Sequence, residues 1–155
     1  MVTVTRESVL ALMPHHTLTK INGEPTHSAV KKLEKELGSN LIAVPCPWGR
    51  GKGHLGILQD AAVFAQRNGG PFTPPEQAPP TYPELPPAAT TAHRERLRAD
   101  NEEAQRAWAT FQHVHRIALN LATDAIKPVY YAKLYDPDEG LNDVSIRNLI
   151  DHIRQ

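Results

Sequence analysis

Between Thr26 and Ala43, Val30, Leu33, Leu37 and Leu41 recur at steps of three and four, with Lys31, Lys32, Glu34, Lys35 and Glu36 between them. One greasy face and one charged face at that period predict an amphipathic helix. Thr26 or Ser28, after Glu24-Pro25, is the expected cap, and Pro45 and Pro47 stop the element. Gly38 costs about 1 kcal/mol inside a helix relative to alanine. The apolar run through Leu41, Ile42 and Val44 nevertheless predicts continuation to about Ala43. Beyond a glycine-rich stretch, Leu55, Ile57, Leu58 and Ala61 to Ala65 predict one or two short helices, with Asp60 as a cap and Asn68-Gly69-Gly70 as the stop.

The longest helical pattern opens at Thr90-Thr91 and runs at least to Leu121. Leu97, Ala104, Trp108, Phe111, Ala118, Leu119 and Ala122 form its buried stripe, and Arg98–Glu102 and Glu102–Arg106 are charge pairs on its wet face. Pro128 kinks or restarts it, and Val129, Tyr130, Tyr131 and Leu134 carry the apolar pattern on to Asp136-Pro137. A last helix carries Ile146, Leu149, Ile150 and Ile153 behind Ser145 or Asp143, and its unclosed rhythm at Gln155 reads as truncation. Met1 to His16 fits a short strand or a helix equally well.

Between the second and third helical regions, eight prolines fall from Pro71 to Pro87. Lacking amide hydrogens and fixed in φ, they exclude helix and favour an extended arm. Phe72, Tyr82 and Leu85 along it predict a strap lying on the domain, with a linker between two lobes as the alternative. The expectation is an all-α fold of five or six helices: an N-terminal helical part with a Gly-rich loop (1–70), the proline-rich arm (71–89), and a C-terminal helical part of the same domain (90–155).

Composition narrows the function. The chain of 155 residues has 17 basic and 17 acidic side chains, so a binder working by releasing counterions from nucleic acid would need a local patch. One cysteine, Cys46, excludes an intramolecular disulfide and a cysteine-based zinc site. No apolar run approaches the roughly 18 residues of a membrane span, and no signal peptide is readable. A cytoplasmic protein is the default expectation.

The loop from Trp48 to Gly56, WGRGKGHLG, invites a nucleotide reading. A Walker loop needs a hydroxyl after its lysine, and here Gly53 follows Lys52, while Cys46 stands where the first glycine should be. The plainer expectation is a loop whose glycines permit left-handed backbone and whose Arg50, Lys52 and His54 face solvent or a partner. His113 and His115 lie about 200° apart on a helix, too far to share a metal. No metal, cofactor or catalytic residue is therefore assigned. Trp108 and Phe111 are read as core, with burial against another subunit as the alternative. Candidate interaction residues are Arg50, Lys52, His54, Phe72, Tyr82, Trp108 and Phe111.

The order of the pieces carries a resemblance. GHLGIL (Gly53 to Leu58), the PFTPP opening of the arm, Asn101–Trp108–Phe111 and the closing VSIRNLIDHI stand in a stretch from about Leu18 to Ile153. This stretch resembles the N-terminal part of Gag-like proteins of copia-type retrotransposons, especially those of algae and related protists. The resemblance implies a capsid-like helical domain that self-associates into a particle packaging the element's RNA. Gag proteins of this kind often carry a CCHC knuckle further on, which a chain with one cysteine lacks, so RNA contact is expected outside this chain.

The expected function is therefore structural and non-catalytic: a homo-oligomer with no membrane contact and no small-molecule substrate. One rival is an enzyme in which Lys52, His54 and Cys46 converge on a small-molecule pocket. Another is a domesticated Gag-derived adaptor whose proline arm binds other proteins.

Overall fold

The computed structural model describes residues 4–46, 49–73, 75, 88, 90–134, 137–138, 140 and 144–154. Among these the chain is all-α, as its patterning predicts. Its helices are α1 (Arg6–Leu10), α2 (His27–Ala43), α3 (Ala61–Asn68), α4 (Thr91–Ala125) and α5 (Ile146–Arg154), with single 3₁₀ turns at Leu55–Ile57, Pro128–Tyr130 and Ala132–Leu134.

Side chains chosen by local chemistry start these helices. Thr26 Oγ1 accepts from the Ala29 amide at 3.2 Å, Asp60 from Ala62 and Val63 at 3.0 and 3.3 Å, and Thr90 from His93 at 3.1 Å. Ser145 supplies the same bond to Asn148 at 3.1 Å, and Asp143 lies outside the described residues. Each satisfies an amide that the first helical turn leaves without a partner. Thr5 does this for α1, which settles the ambiguous N-terminal stretch as a short helix. Gly69 ends α3 in the left-handed conformation, at φ 80°.

Gly38 does not stop α2. A Cβ there would lie 3.5 Å from Leu55 Cδ1, an ordinary contact, so the helix runs on beneath the Leu55–Ile57 turn. Of the two charge pairs expected on α4, Arg98–Glu102 forms at 3.3 Å. Pro128 neither kinks α4 nor restarts an α-helix: α4 ends at Ala125, Ile126 is extended, and Pro128 opens a 3₁₀ turn. That turn throws Val129 outward, 73 % exposed, while Tyr130, Tyr131 and Leu134 pack half-buried against the core, so the apolar pattern continues without Val129.

The core lies where α2, the C-terminal half of α4 and α5 meet. Leu33, Leu37 and Leu41 from α2, Val114, Ile117 and Ala122 from α4, and Ile146, Leu149 and Ile150 from α5 are buried together. Val9 of α1 closes one side, with α1 packed on α4. Burying a side chain of this size stabilises by roughly 1.5–3 kcal/mol relative to leaving it exposed. The sharp amphipathicity of α5 therefore explains why so short a helix docks. Asn40 is the notable polar exception, fully buried and bonded to the backbone of His15 at both ends of its amide.

Of the proline-rich arm, residues 71–73, 75 and 88 are described. Phe72 is half-buried, edge-on to Phe64 with ring centroids 5.9 Å apart, and Pro75 is buried. Tyr82 and Leu85, and with them the strap's course along the domain, lie outside the described residues.

Candidate functional site

The glycine-rich loop folds back onto the end of α2. Arg50, Gly51 and Gly53 have φ of 54°, 78° and 54°, so three residues in four take the left-handed conformation. At Gly53 the reason is contact: a Cβ would stand 2.6 Å from the carbonyl oxygens of Leu41, Ile42 and Val44. Only a residue without a side chain lets this strand of loop lie across the unpaired carbonyls at the C-terminal end of the helix.

His54 then delivers two hydrogen bonds to that helix end. Its backbone amide donates to Leu41 O at 2.8 Å, and its ring Nδ1 meets Val44 O at 2.8 Å. A carbonyl only accepts, so the ring proton resides on Nδ1. The ring is 1 % exposed, stacks on Phe111 at 6.1 Å, and has its Nε2 buried without a partner. Burial pushes its pKa down, against a smaller upward pull from the Val44 hydrogen bond. Trp108 extends the stack, 6.2 Å from Phe111.

This corrects the expectation that Arg50, Lys52 and His54 all face solvent or a partner. His54 is interior, a cap on α2. Arg50 is exposed, yet its Nε donates to Pro71 O at 3.0 Å and its Nη1 to Gly69 O at 3.4 Å, clamping the loop to the end of α3. Lys52 is exposed as expected. Trp108 and Phe111 are half-buried, a middle outcome between core and interface. The candidates thus split into a stack of His54, Phe111 and Trp108, a clamp of Arg50 near Phe72, and a solitary Lys52; Tyr82 lies outside the described residues.

The residues of the enzymatic rival do not converge. Cys46 is half-buried and lines a groove of about 580 Å³ with Pro45, Glu103, Arg106 and Thr110, which neither Lys52 nor His54 enters. No group of three histidine, cysteine, aspartate or glutamate side chains among the described residues could hold a metal ion, and no described helix is long and apolar enough to cross a membrane.

Two features escape the sequence pattern. The first is a groove of about 660 Å³ between α2 and the start of α3, with Lys31, Lys32 and Lys35 on one wall and Arg147 on another. In sequence these lysines are simply the wet face of an amphipathic helix; that α3 and α5 close in around them is a tertiary fact. The second is the reach of α4. None of its residues from Thr91 to Arg106 is buried, whereas Ala107 and many of the residues C-terminal to it are.

Compared with family models, with curated proteins and with solved structures, the chain matches none.

Proposed function

We propose that the chain is a non-catalytic helical module that associates with copies of itself, the role that its resemblance to copia-type Gag proteins implies. The observation that carries this reading is the unburied half of α4. A helix of this half's length is marginal in water on its own, yet Thr91–Arg106 adds no buried residue to the core. Among the contacts that hold it are the Thr90 cap, the Arg98–Glu102 pair and the bond from Gln105 to Asn101 at 2.8 Å.

Its side chains also suit pairing of helices. Leu97, Asn101 and Ala104 succeed one another at steps of four and three and are half-buried, and Trp108 and Phe111, beyond this half, continue the spacing. That is the seam spacing of a helix that packs lengthwise on another. Turned away from the seam, Arg96, Asp100 and Glu103 are exposed. Weak pairings of this kind add up when many subunits repeat them, which is how an assembly protein works.

Sedimentation velocity across a wide range of concentration tests the reading. The weight-average mass is expected to climb with concentration, and Leu97→Glu with Ala104→Glu is expected to hold the chain monomeric while its helical circular dichroism stays unchanged. A monomer at every concentration, or assembly indifferent to the double substitution, removes this basis for the function.

A further inference from the structure

We propose that the groove between α2 and the start of α3 is a docking site for a partner segment carrying acidic and aliphatic side chains together. Lys31 and Lys35 lie one helical turn apart on α2 with Lys32 beside them, and all three are exposed and line the groove. None of the three forms an ion pair among the described residues. The acids that share the groove are already engaged. Glu34 pairs with Arg154, and the Asp60 carboxylate accepts from the Ala62 and Val63 amides as the cap of α3. Arg147, held by Leu58 O and by Asp151 at 3.5 Å, adds a fixed guanidinium at the rim. With those pairs set aside, three lysines face the one carboxylate of Asp60, so a chain of zero formal net charge gathers a positive excess in one concavity.

The floor decides what kind of anion fits. Leu55, Leu58 and Val63 line it, and Val63 is 36 % exposed. A ligand that only carried charge would leave this apolar surface wet, while one with aliphatic side chains between its acids would cover it and pair the lysines at once. Among the described residues that line the groove none is aromatic, so none of them offers a platform on which a base could stack. The Asp60 carboxylate in the lining would repel a uniform polyanion and tolerate spaced carboxylates. A volume of about 660 Å³ falls within the usual range for ligand sites, roughly 300–1,000 Å³. An acidic, aliphatic peptide meets all of these conditions; single-stranded RNA meets only the charge. The proposal does not depend on α4, and a monomeric chain would bind equally well.

The test is fluorescence anisotropy of the full chain with a labelled peptide alternating glutamate and leucine. Two control peptides replace every glutamate by glutamine or every leucine by serine, and a uridine homopolymer serves as the RNA probe. Binding is expected for the parent peptide at low salt, with affinity falling at least about tenfold for Lys31→Glu with Lys35→Glu and for each control peptide. Because both lysines are exposed, the thermal midpoint of the variant should match that of the parent chain, so lost binding reads as a lost site. No binding, binding indifferent to the lysine substitutions, equal binding of the leucine-free peptide, or tighter lysine-dependent binding of the homopolymer would each overturn the proposal.

Discussion

Asn40 reads the backbone of His15 from inside the core: its Nδ2 donates to His15 O and its Oδ1 accepts from the His15 amide, each at 2.8 Å. These paired bonds fasten the segment before α2 to the last turn of a helix whose other buried positions are mostly aliphatic. Replacement by leucine removes both bonds and leaves a peptide group with no partner. A buried polar group stranded in this way costs about 1–3 kcal/mol. Asn40→Leu is therefore expected to lower the unfolding free energy by an amount in that range. Urea denaturation followed by circular dichroism checks it, and a neutral result would show that water takes over both bonds.

Two glycines in one loop should behave very differently. Gly51 has φ 78° and open space where a Cβ would go, whereas Gly53 would press its Cβ against three carbonyl oxygens of α2. Gly51→Ala carries only the left-handed penalty of about 1–2 kcal/mol. Gly53→Ala carries that penalty and a clash with backbone, so it is expected to destabilise more, beyond about 3 kcal/mol in total. Denaturation midpoints of the two variants measured side by side give the ranking. Equal losses would contradict the close packing of the loop on the helix end.

Stability should weaken in mild acid. Burial holds the His54 pKa below its ordinary 6.5, and burial followed by the charge of Arg116 lowers that of His115. The unfolded chain then binds protons that the folded chain refuses, so unfolding is favoured progressively as pH falls below about 6.5, and the contribution is fully present above it. Urea midpoints between pH 5 and pH 8 should rise with pH over the lower part of that window. His54→Phe, which loses the Val44 bond but cannot titrate, should flatten part of that slope. A slope unchanged by the substitution would remove His54 as its source.

Arg50 is expected to matter locally more than globally. Its two bonds to Pro71 O and Gly69 O come from different guanidinium nitrogens, a fork that lysine cannot reproduce. Arg50→Lys should cost no more than about 1 kcal/mol of global stability. Amide exchange around Asn68 to Thr73 should accelerate severalfold, as read by hydrogen–deuterium exchange. Unchanged exchange there would mean that the clamp is idle.

Much of the architecture is legible in the chain because it rests on local rules. Thr26, Asp60 and Thr90 are caps by side-chain chemistry, and the spacing of Val30, Leu33 and Leu37 fixes the inner face of α2 without reference to anything else. His54 was not legible in the same way. Its burial depends on a backbone approach at Gly53 to carbonyls of a helix well before it in the chain, and its neighbour Phe111 comes from α4. Glycines and basic residues in a loop look like a surface until the helix end beneath them is seen. Val129 misled in the opposite sense, since an apolar residue after Pro128 looks like core and is turned outward by a 3₁₀ geometry. The lysine groove had no sequence signal beyond charge, because the sides of a concavity come from separate elements.

Because the long helix is anchored in the core only from Ala107 onward, it should melt from one end like a rope fixed at a single post. Its N-terminal half, which adds no buried residue, would loosen many times before the body of the molecule does, exposing Arg94, Arg96 and Arg98 to cleavage by a trypsin-like protease. A second chain lying along that half would silence the cleavage, so resistance to digestion would become a gauge of assembly.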